Sequence, residues 1–205
     1  MKAFDRLFEI LDFLLSPEGC PWDREQTLQS LRSTVLEEVH ELIEAVDLED
    51  GDKICEELGD LIFNAVFFCR LAEKQGMFKR EDALNTIADK LIRRHPHVFG
   101  EVEANTAEEA HASWDAAKAK EANGRKSALD GIPKGLPALA KAAKMRKRIR
   151  KSEQAALLDD LPTGDAEWEF GKKLLSMVDQ ADGVDPEAAL ARVLSDVEAK
   201  FRAAE

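Results

Sequence analysis

Apolar residues recur every three to four positions along most of this chain, the spacing of helices that pack through one stripe. Phe4, Leu7, Phe8, Leu11 and Leu14 share one such stripe and predict a helix over residues 2–15. The run Ser16-Pro17-Glu18-Gly19-Cys20-Pro21 ends it, because glycine and two prolines cannot continue a helix. Leu31, Val35, Val39, Leu42 and Val46 predict the inward face of a second helix over 26–48, and Asp50-Gly51-Asp52 reads as a turn. A third helix, over 53–74, is apolar almost all round from Leu58 to Leu71, the pattern of a buried central element. Gln75-Gly76-Met77 closes it, and a fourth helix over 80–94 stops before His95-Pro96. Thr106-x-x-Glu109 is a capping-box signature for a fifth, reaching residue 121. No Tyr occurs and no alternating Val/Ile/Thr run is flanked by turn residues, so the expected class is all-α.

The periodicity breaks at Asn123-Gly124-Arg125-Lys126-Ser127, and Gly131, Pro133, Gly135 and Pro137 follow closely. This divides the chain into a domain over 1–122, a linker over 123–135 and a smaller helical domain over 136–205. The second domain is expected to hold a basic helix over 136–151, a looser stretch with Pro162 and Gly164, and helices over 167–180 and 186–204. A weak internal echo links the halves: Glu57-Leu58-Gly59-Asp60-Leu61-Ile62 reads against Glu169-Phe170-Gly171-Lys172-Lys173-Leu174. Lys172 stands where the first copy has Asp60, and a cation cannot ligate a cation. The second half is therefore expected to be a relic or a structural prop.

Polar exceptions to the apolar pattern carry the chemistry. Glu37-Glu38-x-x-Glu41 and Glu56-Glu57-x-x-Asp60 each place two carboxylates three residues apart, within about 60° on a helix. On the third helix Glu57, Asp60 and Asn64 make a narrow polar strip on a greasy cylinder, which must face something polar. Packed side by side, the two helices would bring Glu38, Glu41, Glu57 and Asp60 together, with Glu37 and Glu56 at the margin. Converging carboxylates repel unless they protonate or bind cations, and oxygen-only donors suit Mg²⁺ or Mn²⁺. Such an ion points to phosphate chemistry. Lys90 and Arg94 share a face and suit phosphoryl oxygens, although basic residues in a last turn also simply offset the helix dipole. Trp114 shares a face with Lys118, offering a stacking surface beside a cation, and Trp22 sits in a loop that is an odd place for a core residue. No Walker or dinucleotide glycine loop and no G-x-S-x-G elbow is present, so triphosphate handling would rest on metal.

Composition narrows the partners. The 205 residues carry a formal charge of -12, which repels nucleic acid at long range but not a small anion held through a cation. The basic run Lys141, Lys144, Arg146, Lys147, Arg148, Arg150, Lys151 is expected to pair with acidic groups or stay solvated. Three cysteines without CxxC spacing read as reduced thiols of a cytoplasmic protein. The opening segment holds Asp5, Glu9 and Asp12, unlike a secretory leader, and no apolar stretch is long enough for a membrane span.

Read in order, Cys20-Pro21-Trp22-Asp23-x-x-Gln26-Thr27, Leu36-Glu37-Glu38-x-x-Glu41, Glu57-Leu58-Gly59-Asp60-Leu61 and Lys90-Leu91-Ile92-Arg93-Arg94-His95-Pro96-His97-Val98-Phe99 resemble the MazG family of nucleoside triphosphate pyrophosphohydrolases. Residues from about 128 resemble the linker and second domain of two-domain members through Leu129-Asp130-x-Ile132-Pro133 and Leu136-Pro137-Ala138-Leu139. That second domain is shortened here, lacks an E-E-x-x-E segment, and has Lys172 for the metal-binding Asp and Asp196 near where a basic residue is expected. The resemblance implies a four-helix-bundle-like fold that forms a homodimer or higher homo-oligomer and requires Mg²⁺, with Mn²⁺ as substitute. It implies hydrolysis of nucleoside triphosphates to monophosphate and pyrophosphate in nucleotide-pool house-cleaning, catalysed by the first domain alone. Under it Glu38, Glu41, Glu57 and Asp60 hold metal, Lys90, Arg94 and Lys118 neutralise the triphosphate, and Trp114 faces base or sugar. Trp22 and Asn64 complete the substrate contacts, and either Glu37 or Glu41 is the general base.

Three other readings remain. Glu37-x-x-His40 and Glu108-x-x-His111 have the spacing of di-iron bundles, but His40 points away from the apolar stripe. The decayed second half suits a non-catalytic interaction module. A narrower dUTP- or phosphoribosyl-ATP-directed pyrophosphohydrolase would share the same acidic motif.

Overall fold

The computed structural model describes residues 2–121, 127–181 and 183–204, which form ten α-helices and no strand among them. The chain divides into two compact units, Met1–Ala119 and Lys120–Glu205. Asn123, Gly124, Arg125 and Lys126, on which the expected linker rests, lie outside the described residues.

The first unit is organised around α4 (Gly51–Lys74), which packs against α1 (Lys2–Leu14), α3 (Leu31–Asp47) and α5 (Arg80–Arg94). Its core joins Phe8, Leu11 and Leu15 to Leu31 and to Val66, Phe67 and Leu71. Phe67 is fully buried, and deleting a ring from such a site costs about 3–5 kcal/mol. The periodicity thus placed the central helix, but only its C-terminal half is enclosed. Leu58 and Ile62 are exposed on α4, as are Leu36, Ile43 and Val46 on α3. The inward position expected for Val46 is therefore wrong in this chain, because α4 covers α3 along a narrower arc than the stripe spans. Phe4, also expected inward, is half exposed beyond the end of the core.

Local chemistry explains where the helices begin and end. The chain folds back after α1 so tightly that a Cβ on Gly19 would meet the Phe13 carbonyl oxygen at 2.1 Å. A short helix, α2 (Pro21–Glu25), then occupies what reads in sequence as loop; Pro21 opens it with a φ already suited to a helix. The second long helix starts at Leu31 rather than residue 26, because Thr27 and Ser30 bond each other's backbone N–H groups at 2.9 and 3.1 Å. It ends through Glu49 in the left-handed region at φ 56°, with the Asp50 N–H bonded to the Ala45 carbonyl at 3.1 Å. Asp50 then caps α4 by accepting from the Lys53 N–H at 3.1 Å, so Gly51 and Asp52 are already helical rather than turn. A four-residue helix, α6 (Pro96–Phe99), follows α5, and α7 (Ala107–Glu121) is capped by Thr106, whose hydroxyl accepts from the Glu109 N–H at 3.2 Å.

The second unit packs α8 (Ala138–Ile149) against α9 (Ala166–Gln180) and α10 (Pro186–Ala204), with a 3₁₀ turn over Ala155–Leu158. Val178 is its buried apolar centre. Arg146 and Arg150 both reach Asp179 at 2.6 Å, and Arg150 also reaches Asp159 at 2.8 Å, tying α8 to α9 and the 3₁₀ segment.

Candidate functional site

Two helices supply the acidic site. Their phase brings one carboxylate oxygen each from Glu38 and Glu41 on α3 and Glu57 on α4 within 4.8 Å of one another. Glu38 and Glu57 are half-buried and Glu41 is exposed, so the group sits at the lip of the α3–α4 seam. Asp60 is not part of this trio. It lies exposed one turn further along α4, close enough that its charge raises the pKa of both Glu38 and Glu57. Three of the four expected ligands therefore converge, and the fourth flanks them.

The electrostatics follow from that placement. Desolvation is the largest cause of the raised Glu38 pKa, followed by the charges of Asp60, Glu41, Glu57 and Glu37. Glu57 is raised by desolvation first, then by Glu41, Glu56 and Asp60, with Lys53 opposing. Asn64, only 3% exposed, donates from Nδ2 to the Asp60 carbonyl at 3.0 Å and to Glu38 Oε1 at 3.5 Å. The polar strip on α4 thus ends in a buried amide that steadies Glu38 from below. Glu37 is exposed beside the trio, and Glu56 is exposed as well.

The basic and aromatic candidates form a second group on α5 and α7. Lys118 Nζ lies 4.6 Å from the Trp114 ring centroid, and the Arg94 guanidinium carbon lies 5.3 Å from it. Trp114 thereby gathers two of the cations expected to face phosphate, one helical turn along α7 and one from the end of α5. Lys90 sits half-buried one turn before Arg94. Trp22 is 64% exposed on α2, whereas its neighbour Asp23 is buried. The loop position marks Trp22 in the sequence but not Asp23; Pro21 at the start of a helix is the sign that this segment is built rather than loose. Among the described residues His97 Nδ1 is buried with no hydrogen-bond partner, and the ring lies 5.6 Å from that of His95.

In the second unit the ammonium of Lys172, opposite Asp60 in the internal echo, lies on the carbonyls of Pro162 and Leu161 at 3.3 and 3.4 Å. Among the described residues the carboxylate trio of the first unit is the acidic or histidine cluster close enough to share an ion.

This geometry meets an independent finding. Residues 26–99 match the MazG nucleotide pyrophosphohydrolase domain, a stretch that carries every carboxylate of the site. The chain is 35% identical, over 97% of its length and 84% of the relative's, to the nucleoside triphosphate pyrophosphohydrolase/pyrophosphatase MazG of Thermotoga maritima. The chain belongs to the MazG family. It is also 44% identical over 72% of its length to the nucleoside triphosphate pyrophosphohydrolase of Escherichia coli K12, although it spans only 57% of that relative. A crystal structure of a mazG-related protein from Thermotoga maritima superposes with a TM-score of 0.50 at 31% identity, covering 56% of this chain and 98% of the other. The all-α class expected from the periodicity is thus the class of a solved relative. No described helix is long and apolar enough to cross a membrane.

Proposed function

We propose that the first unit of this MazG protein hydrolyses nucleoside triphosphates to the monophosphate and pyrophosphate with a divalent cation, Mg²⁺ by preference and Mn²⁺ as a substitute. The observation that carries this reading is the meeting of three carboxylate oxygens within 4.8 Å, supported by relatives named for the reaction. An all-oxygen set with raised pKa values fits a hard cation, whose charge removes the mutual repulsion. When bound, such an ion polarises phosphoryl oxygens and neutralises developing charge.

Glu38, Glu41 and Glu57 provide the ion's ligands, and Asp60 adds negative charge or a further oxygen from the next turn. Asn64 keeps Glu38 from swinging away. In the α–β anhydride cleavage, a water oxygen bonds to phosphorus, the bridging bond breaks, and its oxygen leaves with the other fragment. The water's proton passes to a carboxylate. Glu37 takes that role here because it adjoins the trio without being part of it. Lys90, Arg94 and Lys118 balance the charge of the triphosphate, with Trp114 holding the latter two and presenting its remaining surface to base or sugar. Trp22, exposed on α2, joins the substrate contacts on the strength of the family resemblance.

A second copy of the chain covers the exposed apolar faces of α3 and α4. Three free cysteines fit a cytoplasmic protein, and a role in clearing the nucleotide pool fits a site whose contacts are mainly to phosphate.

Pyrophosphate release from a panel of normal and modified nucleotides, with and without Mg²⁺, tests the reading. Glu38→Gln and Asp60→Asn should each lower turnover about 10²-fold or more while far-ultraviolet circular dichroism stays unchanged, as loss of catalytic electrostatics does elsewhere. Full activity in Glu38→Gln would sink the ligand assignment. No release with any nucleotide by the folded wild-type chain would favour a non-catalytic interaction module instead.

A further inference from the structure

Helix α10 is held by its first turn. Pro186 and Glu187 are half-buried, and Glu187 Oε2 accepts from the Ala140 N–H of α8 at 3.2 Å. From Ala188 to Ala204 every residue is exposed. Helices in proteins draw most of their stability from packing an apolar stripe, and among the described residues nothing encloses the stripe of this one. Leu190, Leu194, Val197 and Phe201 follow one another at four, three and four residues, the spacing of a seam along which two helices pair. Val193 widens the stripe on one side. Arg192 and Asp196 fall on the far side of the helix, whereas Glu198 and Lys200 border the stripe on opposite edges. Glu198 is kept at its edge by Arg202, whose Nε donates to it at 2.8 Å.

We propose that a second copy of this chain covers this face, the two α10 helices lying parallel about a two-fold axis. Each stripe residue then meets its own counterpart, and the Glu198 edge of one copy faces the Lys200 edge of the other. Antiparallel helices would instead set like edge against like. Area decides how the pairing is used. Leu190, Val193, Leu194, Val197 and Phe201 are 47 to 66% exposed and offer roughly 500 Å² per copy, against about 800 Å² per partner in a standard interface. Alone, α10 is therefore too small to hold two copies. The pairing rests on the assembly through α3 and α4 proposed above. Once two first units are joined, the α10 helices tethered to them meet at an effective concentration in the millimolar range, where a small apolar contact suffices. The second unit, without a carboxylate cluster of its own among the described residues, acts as a clasp on the pair.

Disulfide trapping in the full chain tests this. Leu194→Cys treated with oxidised glutathione should form a covalent dimer on non-reducing electrophoresis. It should do so about tenfold faster than Ser195→Cys, which points away from the stripe, and than the wild type with its three cysteines. Adding Leu58→Glu and Ile62→Glu should slow the trapping about tenfold or more in dilute solution, because the copies are then no longer joined. Val197→Glu raises intrinsic helix propensity, so a fall of about tenfold in amide-exchange protection across α10 reports lost pairing and not a weaker helix. Equal trapping by Leu194→Cys and Ser195→Cys, in copies that light scattering shows assembled, overturns the pairing and leaves the α3–α4 assembly standing. Protection that Val197→Glu leaves unchanged, or trapping that Leu58→Glu with Ile62→Glu does not slow, also overturns the proposal. A wild-type chain that is monomeric in light scattering overturns both the clasp and the assembly it rests on.

Discussion

Glu57 sits among like charges at a cost in stability. Its carboxylate is partly desolvated and faces Glu41, Glu56 and Asp60, so its pKa is raised above the ordinary value of 4.5. The folded protein therefore holds this proton more tightly than the unfolded chain does. Stability is lost as pH rises from 4.5 through the folded pKa, and the penalty is complete above it. Glu38 adds a penalty of the same sign. It follows that Glu57→Gln should raise the Tm of the ion-free protein at neutral pH, with the difference from wild type shrinking toward pH 4.5. Calorimetric scans in EDTA across that interval check this, and a lower Tm for the variant at pH 7 would contradict it. Adding Mg²⁺ should raise the Tm of the wild type and not of the variant, because only the intact cluster gains from the cation.

Element by element, the structure separates what a periodic pattern encodes from what it does not. Helix α5 begins at Arg80 and ends at Arg94 and α10 spans Pro186–Ala204, as expected, since proline, glycine and charged ends mark their limits. Helix α3 begins late because Thr27 and Ser30 satisfy each other locally, an alternative that hydrophobic spacing does not register. Helix α2 has five residues, too few for any period to emerge. The site was legible to the same depth. A helical wheel gives the direction of Glu38, Glu41, Glu57 and Asp60, but not the sliding of α3 along α4 that selects three of them for close approach. The α3–α4 connection carries a further consequence: Glu49 occupies the left-handed region, where a Cβ costs roughly 1–2 kcal/mol. Glu49→Gly should therefore stabilise the protein by about 1 kcal/mol, less some added freedom in the unfolded chain. Urea unfolding at constant m-value measures it, and a fall in midpoint would show that Glu49 makes a compensating contact.

At the scale of the molecule, the first unit leaves several large apolar residues of α3 and α4 exposed outside its core. Leu36 and Ile43 on α3 are 61% and 51% exposed, and Leu58 and Ile62 on α4 are 45% and 39% exposed. Residues four and seven apart lie on one side of a helix, so these are two continuous faces rather than scattered contacts. Periodicity could not reveal this, because a stripe buried within a chain and one buried between chains have the same spacing. The carboxylate trio lies on the same two helices, so under the proposed assembly a second copy seated on these faces would exclude water from beside it and strengthen its hold on a cation. Leu58→Glu with Ile62→Glu should then convert an assembled species to monomer in size-exclusion chromatography with light scattering, and turnover should fall in parallel although no ligand is altered. A variant that remains assembled and active would mean that another surface holds the copies together, and that α3 and α4 hold the ion without help.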